Sequence, residues 1–151
     1  DFNMPERFDL TCVNEDGKNE RIVMIHRAIL GAFERFMAIL IEHYVGAFPL
    51  WLSPVQVVVL PIGEAHHDYA RSVIKELSNS RIRAEMNDAS ETLNKRIRDA
   101  ETQKIPYILV VGEKEEQAKT ISVRKRGAGD LGAKELASFL NETLREIDLK
   151  G

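Results

Sequence analysis

Apolar and polar residues in the first part of the chain predict a hairpin followed by a helix. An alternating run at residues 8–13 and a β-like run at residues 21–25 flank a turn at residues 14–17. A helix is predicted over residues 28–45, because five apolar residues recur there at helical spacing and should face a core: Ile29, Phe33, Phe36, Met37 and Leu40. A hairpin and one apolar helix cannot bury their own apolar faces. We therefore expect residues 1–50 to be the end of another domain.

A different pattern begins at residue 51, where strands and helices alternate. Four strands are predicted, at residues 55–60, 82–86, 107–111 and 120–126. Helices are predicted at residues 65–77, at residues 90–103 and near the end of the chain, with a charged loop at residues 112–118. Asp88 and Glu91 have the spacing of a capping box before the second of these helices. The order βαβαββα predicts an α/β fold with a mixed, mostly parallel sheet flanked by helices.

Composition narrows the class of protein. The 151 residues are 44% hydrophobic and 30% charged, which is typical of globular domains. Cys12 is the single cysteine, so no intrachain disulfide can form, and the sequence contains no evident leader or membrane-spanning stretch. We expect a cytoplasmic protein with no membrane association. The net charge of -3 argues against a general polyanion binder, although basic residues cluster locally.

Two motifs match known chemical sites without the context that those sites need. Residues 127–132 fit the dinucleotide-binding pattern G-x-G-x-x-G, but that pattern needs a second strand with an acidic residue ~20 residues later, and only a helix is predicted to follow. We interpret these glycines as a tight turn between a strand and a helix.

The predicted hairpin places Cys12 opposite Ile22, so His26 lies ~13 Å farther along and cannot share a metal ion with Cys12.

Two basic clusters are candidate binding features. Lys95, Arg96 and Arg98 lie on one predicted helix, where a solvated charged face explains them as well as a binding site does. Arg124 and Arg126 lie at the end of a predicted strand. Side chains at the strand ends of an open α/β sheet project into a ligand crevice. Arg124 is therefore placed to fork onto guanine O6 and N7 or to hold a phosphate.

The segment at residues 26–36, with the sequence HRAILGAFERF, resembles motif 3 of class II aminoacyl-tRNA synthetases in the form found in threonyl-tRNA synthetases. The resemblance implies that Arg35 binds an ATP phosphate. It also implies that His26 is one of three zinc ligands, with the other two outside this chain. Pairing of Arg35 with Glu34 or another carboxylate is the alternative. Ala32 departs from the motif, which frequently has serine there.

Further strings resemble the anticodon-binding domain of bacterial threonyl-tRNA synthetases. They lie at residues 49–57, at residues 104–115, and at residues 123–126 leading into the glycine-rich segment. Carried over by position, the resemblance implies that Arg124 and Glu115 read the second and third anticodon bases, guanine and uracil.

The same resemblance places four more basic residues at the anticodon arm: Lys95, Arg96, Arg98 and Arg126. We expect the three residues from the predicted helix to contribute mainly phosphate attraction, which does not depend on base sequence. Ser90 and Asn94 depart from the family pattern, which has asparagine and glycine at these positions. The resemblance implies an anticodon contact for that asparagine, and Ser90 lacks the side-chain amide.

These resemblances imply a threonyl-tRNA synthetase in which residues 1–50 end the catalytic domain and residues 51–151 form the anticodon-binding domain. The full enzyme would activate threonine with ATP and Mg²⁺, hold Zn²⁺ and transfer threonine to tRNA(Thr), as a homodimer. This piece alone should be inactive and should bind no cofactor tightly. The alternatives are a noncatalytic RNA-binding or polymerase-accessory module of the same fold and a small nucleotide-binding protein. His26 and Arg35 would have no use in a pure binding module.

Overall fold

The computed structural model describes residues 1–150, which form two compact units. The first unit is Asp1–Ile39, and the second begins at Leu40. The predicted boundary between residues 50 and 51 lies later in the chain and stays a prediction about the domains.

The first unit contains a short helix and a two-stranded antiparallel hairpin. These elements are Asn3–Arg7 (α1), Thr11–Val13 (β1) and Asn19–Arg21 (β2). The prediction of a second strand at residues 21–25 is wrong, because β2 ends at Arg21. His26 therefore does not follow a strand.

The turn of this hairpin explains the difference. The Asn14 side chain accepts the backbone N–H of Lys18, and the backbone N–H of Asn14 donates to the carbonyl of Lys18. The two strands are thus joined between Asn14 and Lys18, earlier than the predicted hairpin requires. As a result Cys12 pairs with Glu20 rather than with Ile22. The register of this hairpin thus depends on hydrogen bonds from the Asn14 side chain to the nearby backbone. The spacing of apolar residues does not report such bonds.

The apolar helix is Phe33–Tyr44 (α2), which starts later than residue 28. Gly31 has a φ of 67°, a left-handed conformation that interrupts the helical path before Phe33. No residue of α2 is buried, and the side chains of Ile29 and Phe33 are among the exposed apolar groups. Three of the expected core residues are partly buried: Phe36, Met37 and Leu40. Much of the apolar stripe is therefore exposed.

The second unit contains a five-stranded sheet flanked by helices. Its strands are Val57–Pro61 (β3), Ala84–Met86 (β4), Tyr107–Val111 (β5), Thr120–Lys125 (β6) and Gly129–Glu135 (β7). Its helices are His67–Asn79 (α3), Leu93–Thr102 (α4), Glu113–Ala118 (α5) and Leu136–Asp148 (α6), with a 3-10 turn at Glu64–His66. The strand order is β4-β3-β5-β6-β7, and only β6 runs against the other strands. The predicted α/β fold with a mixed, mostly parallel sheet is confirmed.

Helices cover both faces of the sheet, but α4 covers only part of its face. α3 and α6 pack over the main core, which includes Val123 of β6. On the other face α4 packs on β3 and β5, where Ala100 belongs to the same cluster as Val58 and Ile108. Successive side chains of a strand point to opposite faces, so Arg124 faces the α4 side. No residue of β6 or β7 within the described range belongs to the α4 cluster, which leaves that side of both strands accessible.

Two segments differ from their predicted form. The predicted charged loop contains α5, which starts where the Glu115 carboxylate accepts the backbone N–H of Gly112. The glycine segment forms a turn at residues 126–128 and then continues as β7, which pairs with β6. Gly129 and Gly132 take positive φ within this edge strand. A strand rich in glycine shows no apolar alternation, so its pairing could not be seen in the sequence.

Helix α4 also starts later than predicted. Thr92 is its N-cap, and the Thr92 hydroxyl accepts the backbone N–H of Lys95. The predicted capping box at Asp88 is therefore wrong. Residues 87–92 form a connection between β4 and α4 in which Ser90 is exposed.

Candidate nucleic-acid interface

Arg124 lies at the mouth of a cavity on the open side of β6. It is the penultimate residue of that strand and pairs with Ile108 of β5 on one side and Asp130 of β7 on the other. The cavity has a volume of about 260 Å³. Apolar side chains, glycines, basic residues and one carboxylate line it: Ile105, Ile108, Gly127, Gly129, Arg124, Lys125, Arg126 and Glu101.

The Arg124 guanidinium is held by charge rather than by close hydrogen bonds. Its Nη1 lies 3.9 Å from Glu101 Oε1, and its Nη2 lies 3.5 Å from Asp130 Oδ2. Both distances exceed those of a good N–H···O bond. The side chain is 35% exposed. Arg124 therefore points into an accessible cavity with N–H groups available to a ligand.

Arg126 lies close by in sequence, but its guanidinium is engaged by the protein. It donates to the carbonyl oxygens of Lys104 and Phe48, the second at 2.6 Å. Burial lowers the pKa of Arg126. Lys104 in turn donates through Nζ to the carbonyl of Val45. Arg126 and Lys104 thus fasten the segment at residues 45–48 to the turn before β5.

Arg96 lies inside the domain rather than on its surface. The residue is 4% exposed and forms, with Ala100, the buried side of α4. Its guanidinium donates to the carbonyl oxygens of Pro61 at 2.8 Å and Asn87 at 3.0 Å. These carbonyls lie at the end of β3 and just after β4, so Arg96 ties α4 to both strands. The structure does not bring Arg96 to the surface where a phosphate contact was expected.

Arg98 and Lys95 are exposed on α4. Lys95 forms an ion pair with Glu91, and this hydrogen bond raises the pKa of Lys95. The Lys95 ammonium and the Arg98 guanidinium both reach solvent on α4, which borders the open side of the sheet. Their charges therefore lie at a surface where salt screens them.

Glu115 and Arg124 lie near opposite ends of β5. Glu115 belongs to α5, which follows the last residue of β5, and its carboxylate accepts the N–H of Gly112 at 3.0 Å. Arg124 pairs with Ile108, near the first residue of β5. Ile108 and Val111 are separated by about 10 Å along the strand. The two expected base readers therefore do not share the Arg124 cavity.

Two carboxylates near Arg124 were missed in the sequence. The glycine pattern predicts a turn at Asp130, whereas its position opposite Arg124 depends on the unpredicted strand β7. Glu101 lies near the end of α4, three residues after Arg98, and nothing in its spacing distinguishes it from a solvated helix residue. A prediction of the β6–β7 pairing would have found Asp130.

The residues expected to hold a phosphate and a metal lie in the first unit. Arg35 is exposed, and it forms no ion pair with Glu34 or with another carboxylate of residues 1–150. His26 Nε2 lies 2.7 Å from Asp1 Oδ2. No group of three histidine, cysteine, aspartate or glutamate side chains in the described part of the chain is arranged to hold a metal ion. The residues present therefore do not fit a complete zinc site.

No helix within the described range has the length and apolar character needed to cross a membrane.

Two families match separate parts of the chain. The anticodon binding domain family matches residues 56–146, and the tRNA synthetase class II core domain (G, H, P, S and T) matches residues 1–44. A solved structure described as the RNA binding domain of threonyl-tRNA synthetase from Cryptosporidium parvum Iowa II superimposes with a TM-score of 0.72 at 35% identity. That superposition covers 97% of this chain and 37% of the solved chain.

Curated relatives named threonine--tRNA ligase are more similar in sequence. The Aquifex aeolicus protein is 55% identical over 99% of this chain and 24% of its own length. The Carboxydothermus hydrogenoformans protein is 53% identical over 97% of this chain and 23% of its own length. The chain thus spans about a quarter of the relatives that it matches. Its residues 56–146 make up more than half of the chain, so it belongs to the anticodon binding domain family.

Proposed function

We propose that the second unit binds the anticodon arm of tRNA and that Arg124 reads a base there. The observation that carries this proposal is the state of the Arg124 guanidinium. It faces an accessible cavity without a close hydrogen bond, and two carboxylates hold it at 3.5 and 3.9 Å. An arginine fork presented in this way matches the O6 and N7 acceptors of guanine. Unstacked bases of an RNA loop expose these edges.

The other arginines have different roles in this proposal. Arg96 and Arg126 donate to backbone carbonyls, so we assign them to positioning rather than to RNA contact. Arg98 and Lys95 attract the phosphates of the arm from exposed positions on α4. Glu115, at the far end of β5, would contact a different nucleotide from the one that Arg124 reads.

We infer further that residues 51–151 act as the anticodon-binding domain of a longer enzyme and residues 1–50 as part of its catalytic domain. The longer enzyme would activate threonine with ATP and Mg²⁺ and transfer it to tRNA(Thr), as a homodimer. Arg35 would hold an ATP phosphate, which is consistent with its exposure and its lack of an ion pair in residues 1–150. His26 would provide one zinc ligand, and other parts of the enzyme would have to supply the rest.

This division predicts that the 151-residue chain does not activate threonine. It contributes one phosphate-binding arginine and one histidine to sites that need several groups. Threonine-dependent pyrophosphate exchange should stay at the background level, whereas a full-length threonine--tRNA ligase measured in parallel should exchange. Exchange at a rate comparable with the full-length enzyme would refute the assignment of residues 1–50.

RNA binding tests the proposal for the second unit. The chain should bind the anticodon stem-loop of tRNA(Thr) more tightly than the same stem-loop with its middle guanine replaced. The preference should survive a rise in salt that weakens both complexes, because base contacts depend on salt less than phosphate contacts do. Equal affinity for both loops at every salt concentration would instead favour a noncatalytic RNA-binding module.

A further inference from the structure

We propose that Glu101 is a second base reader, which accepts hydrogen bonds from the N1–H and 2-amino groups of the guanine that Arg124 holds. This inference rests on the proposed function, since it concerns the same RNA. The two side chains come from separate elements, α4 and β6, and converge on one cavity. Neither the sequence motifs nor the family resemblance assigns a role to Glu101.

The Glu101 carboxylate is close to Arg124 and still available to a ligand. Its Oε1 lies 3.9 Å from Arg124 Nη1, and its side chain is 60% exposed. No group in residues 1–150 donates a hydrogen bond to it. The two carboxylate oxygens of Glu101, which accept hydrogen bonds, therefore lie next to the N–H donors of the Arg124 guanidinium at the cavity mouth.

This arrangement of donors and acceptors selects among the bases. Guanine presents two acceptors, O6 and N7, next to two donors, N1–H and the 2-amino group. It can satisfy the arginine fork and the carboxylate together. Uracil presents a single donor, N3–H, between two acceptors, O4 and O2, so it offers the carboxylate only one hydrogen bond and gives the arginine fork no pair of adjacent acceptors. A phosphate offers acceptors alone and would meet repulsion from Glu101 and from Asp130.

The cavity has the size and walls that a single base needs. Its volume of about 260 Å³ lies just below the range of drug-sized ligand sites, which suits one ring system better than a dinucleotide. Ile105 and Ile108 form an apolar surface against which a ring can lie. At Gly127 and Gly129 no atom lies within 4 Å of the position that a Cβ would take, so the rim is open for entry.

Asp130 fixes the arginine in this arrangement. Its Oδ1 accepts the backbone N–H of Gly132 at 2.8 Å, which holds the carboxylate within β7. Its Oδ2 then lies 3.5 Å from Arg124 Nη2. We assign Asp130 as a positioning residue that keeps the fork directed into the cavity.

Inosine separates the two readers, because it keeps O6 and N7 but lacks the 2-amino group. The experiment titrates the 151-residue chain with anticodon stem-loops that carry guanine, inosine or adenine at the middle position. The unmodified chain should bind the guanine loop about ten-fold or more tightly than the inosine loop, as expected for loss of one hydrogen bond to a charged acceptor. Glu101→Ala should bind these two loops equally while still preferring both to the adenine loop.

Conservative variants separate base reading from charge. Removing a carboxylate beside RNA raises the affinity for every loop, so the guanine-to-inosine ratio is the quantity to compare. Glu101→Gln keeps one acceptor and should retain part of the ratio. Glu76→Gln removes an exposed carboxylate from α3, on the opposite face of the sheet, and should leave the ratio unchanged.

The outcomes distinguish this inference from the proposed function. If the unmodified chain prefers guanine to adenine but does not distinguish guanine from inosine, Glu101 is not a reader and the role of Arg124 stands. If Glu101→Ala keeps the full guanine-to-inosine ratio, another group reads the 2-amino group and the inference is overturned. If the unmodified chain binds all three loops equally, both proposals fail.

Discussion

Replacement of Arg96 by methionine tests whether this arginine holds the fold together or binds RNA. Methionine fills a similar apolar volume but cannot donate to the carbonyls of Pro61 and Asn87. A buried carbonyl left without its partner costs about 1 to 3 kcal/mol. The loss is partly offset, because Arg96 is itself costly to bury and its Nε has no partner among the described atoms.

We expect Arg96→Met to lower the free energy of unfolding by about 2 to 4 kcal/mol. Urea unfolding followed by far-UV circular dichroism and by the fluorescence of Trp51, the single tryptophan, measures this change. Arg98→Met is the matched control, because Arg98 is exposed on the same helix. It should change the free energy of unfolding by less than about 0.5 kcal/mol.

In RNA binding we expect the reverse: the Arg98 variant should show a change and the Arg96 variant should not. Arg98→Met should reduce the slope of log affinity against log salt by about 0.7, the value for one phosphate contact on a single strand. Arg96→Met, studied where it remains folded, should leave that slope unchanged. An Arg96→Met chain that is as stable as the unmodified chain and has a lower salt slope would refute the structural role of Arg96.

Other features of the structure give further expectations. Tyr107→Phe removes a hydroxyl that donates to Glu146 at 2.6 Å, and it should cost about 1 to 3 kcal/mol in urea unfolding; an unchanged midpoint would contradict this. Burial raises the pKa of Tyr107, so its contribution to stability should be complete below about pH 10 and be lost as the pH rises through the folded-state pKa. The unmodified chain should therefore lose more stability between pH 9 and 11 than Tyr107→Phe does. Equal losses would contradict this role of the Tyr107 hydroxyl. The exposed apolar surface at Ile29 and Phe33 should drive self-association, so sedimentation should detect species larger than a monomer. Serine substitutions at both positions should reduce these species, and a strictly monomeric unmodified chain would contradict the expectation.

The buried strands of the sheet could be predicted from the sequence because burial on both faces leaves a continuous apolar run. Residues 107–111 were predicted as a strand and form β5 with the same bounds. Residues 55–60 were predicted with only a small shift from β3. Amphipathic helices such as α3 and α6 also carry a clear period in their apolar residues.

Elements with little apolar content could not be predicted in the same way. β7 consists largely of polar residues and glycine, and it exists because its backbone pairs with β6. α5 is short and highly charged, and its start depends on the Glu115 carboxylate at Gly112. Such elements are determined by backbone pairing and local hydrogen bonds rather than by hydrophobic period.

The candidate site was predictable only in part. Arg124 stood out because a predicted strand ended there, and that position follows from the apolar run before it. The burial of Arg96 could not be foreseen, since its two carbonyl partners come from the ends of β3 and β4, far away in sequence. Glu101 and Asp130 required the packing of α4 and the pairing of β7, which no local spacing encodes.

The preference for guanine in the Arg124→Ala variant tests the central claim most directly. The quantity is the ratio of the dissociation constants for anticodon stem-loops with adenine and with guanine at the middle position, measured at one salt concentration. We expect a ratio of about ten or more for the unmodified chain, since a forked contact is worth about 1 to 3 kcal/mol against the wrong base. The ratio should fall close to one in Arg124→Ala and stay unchanged in Arg98→Ala, which weakens both complexes alike. An Arg124→Ala chain that keeps the full guanine preference would contradict the account.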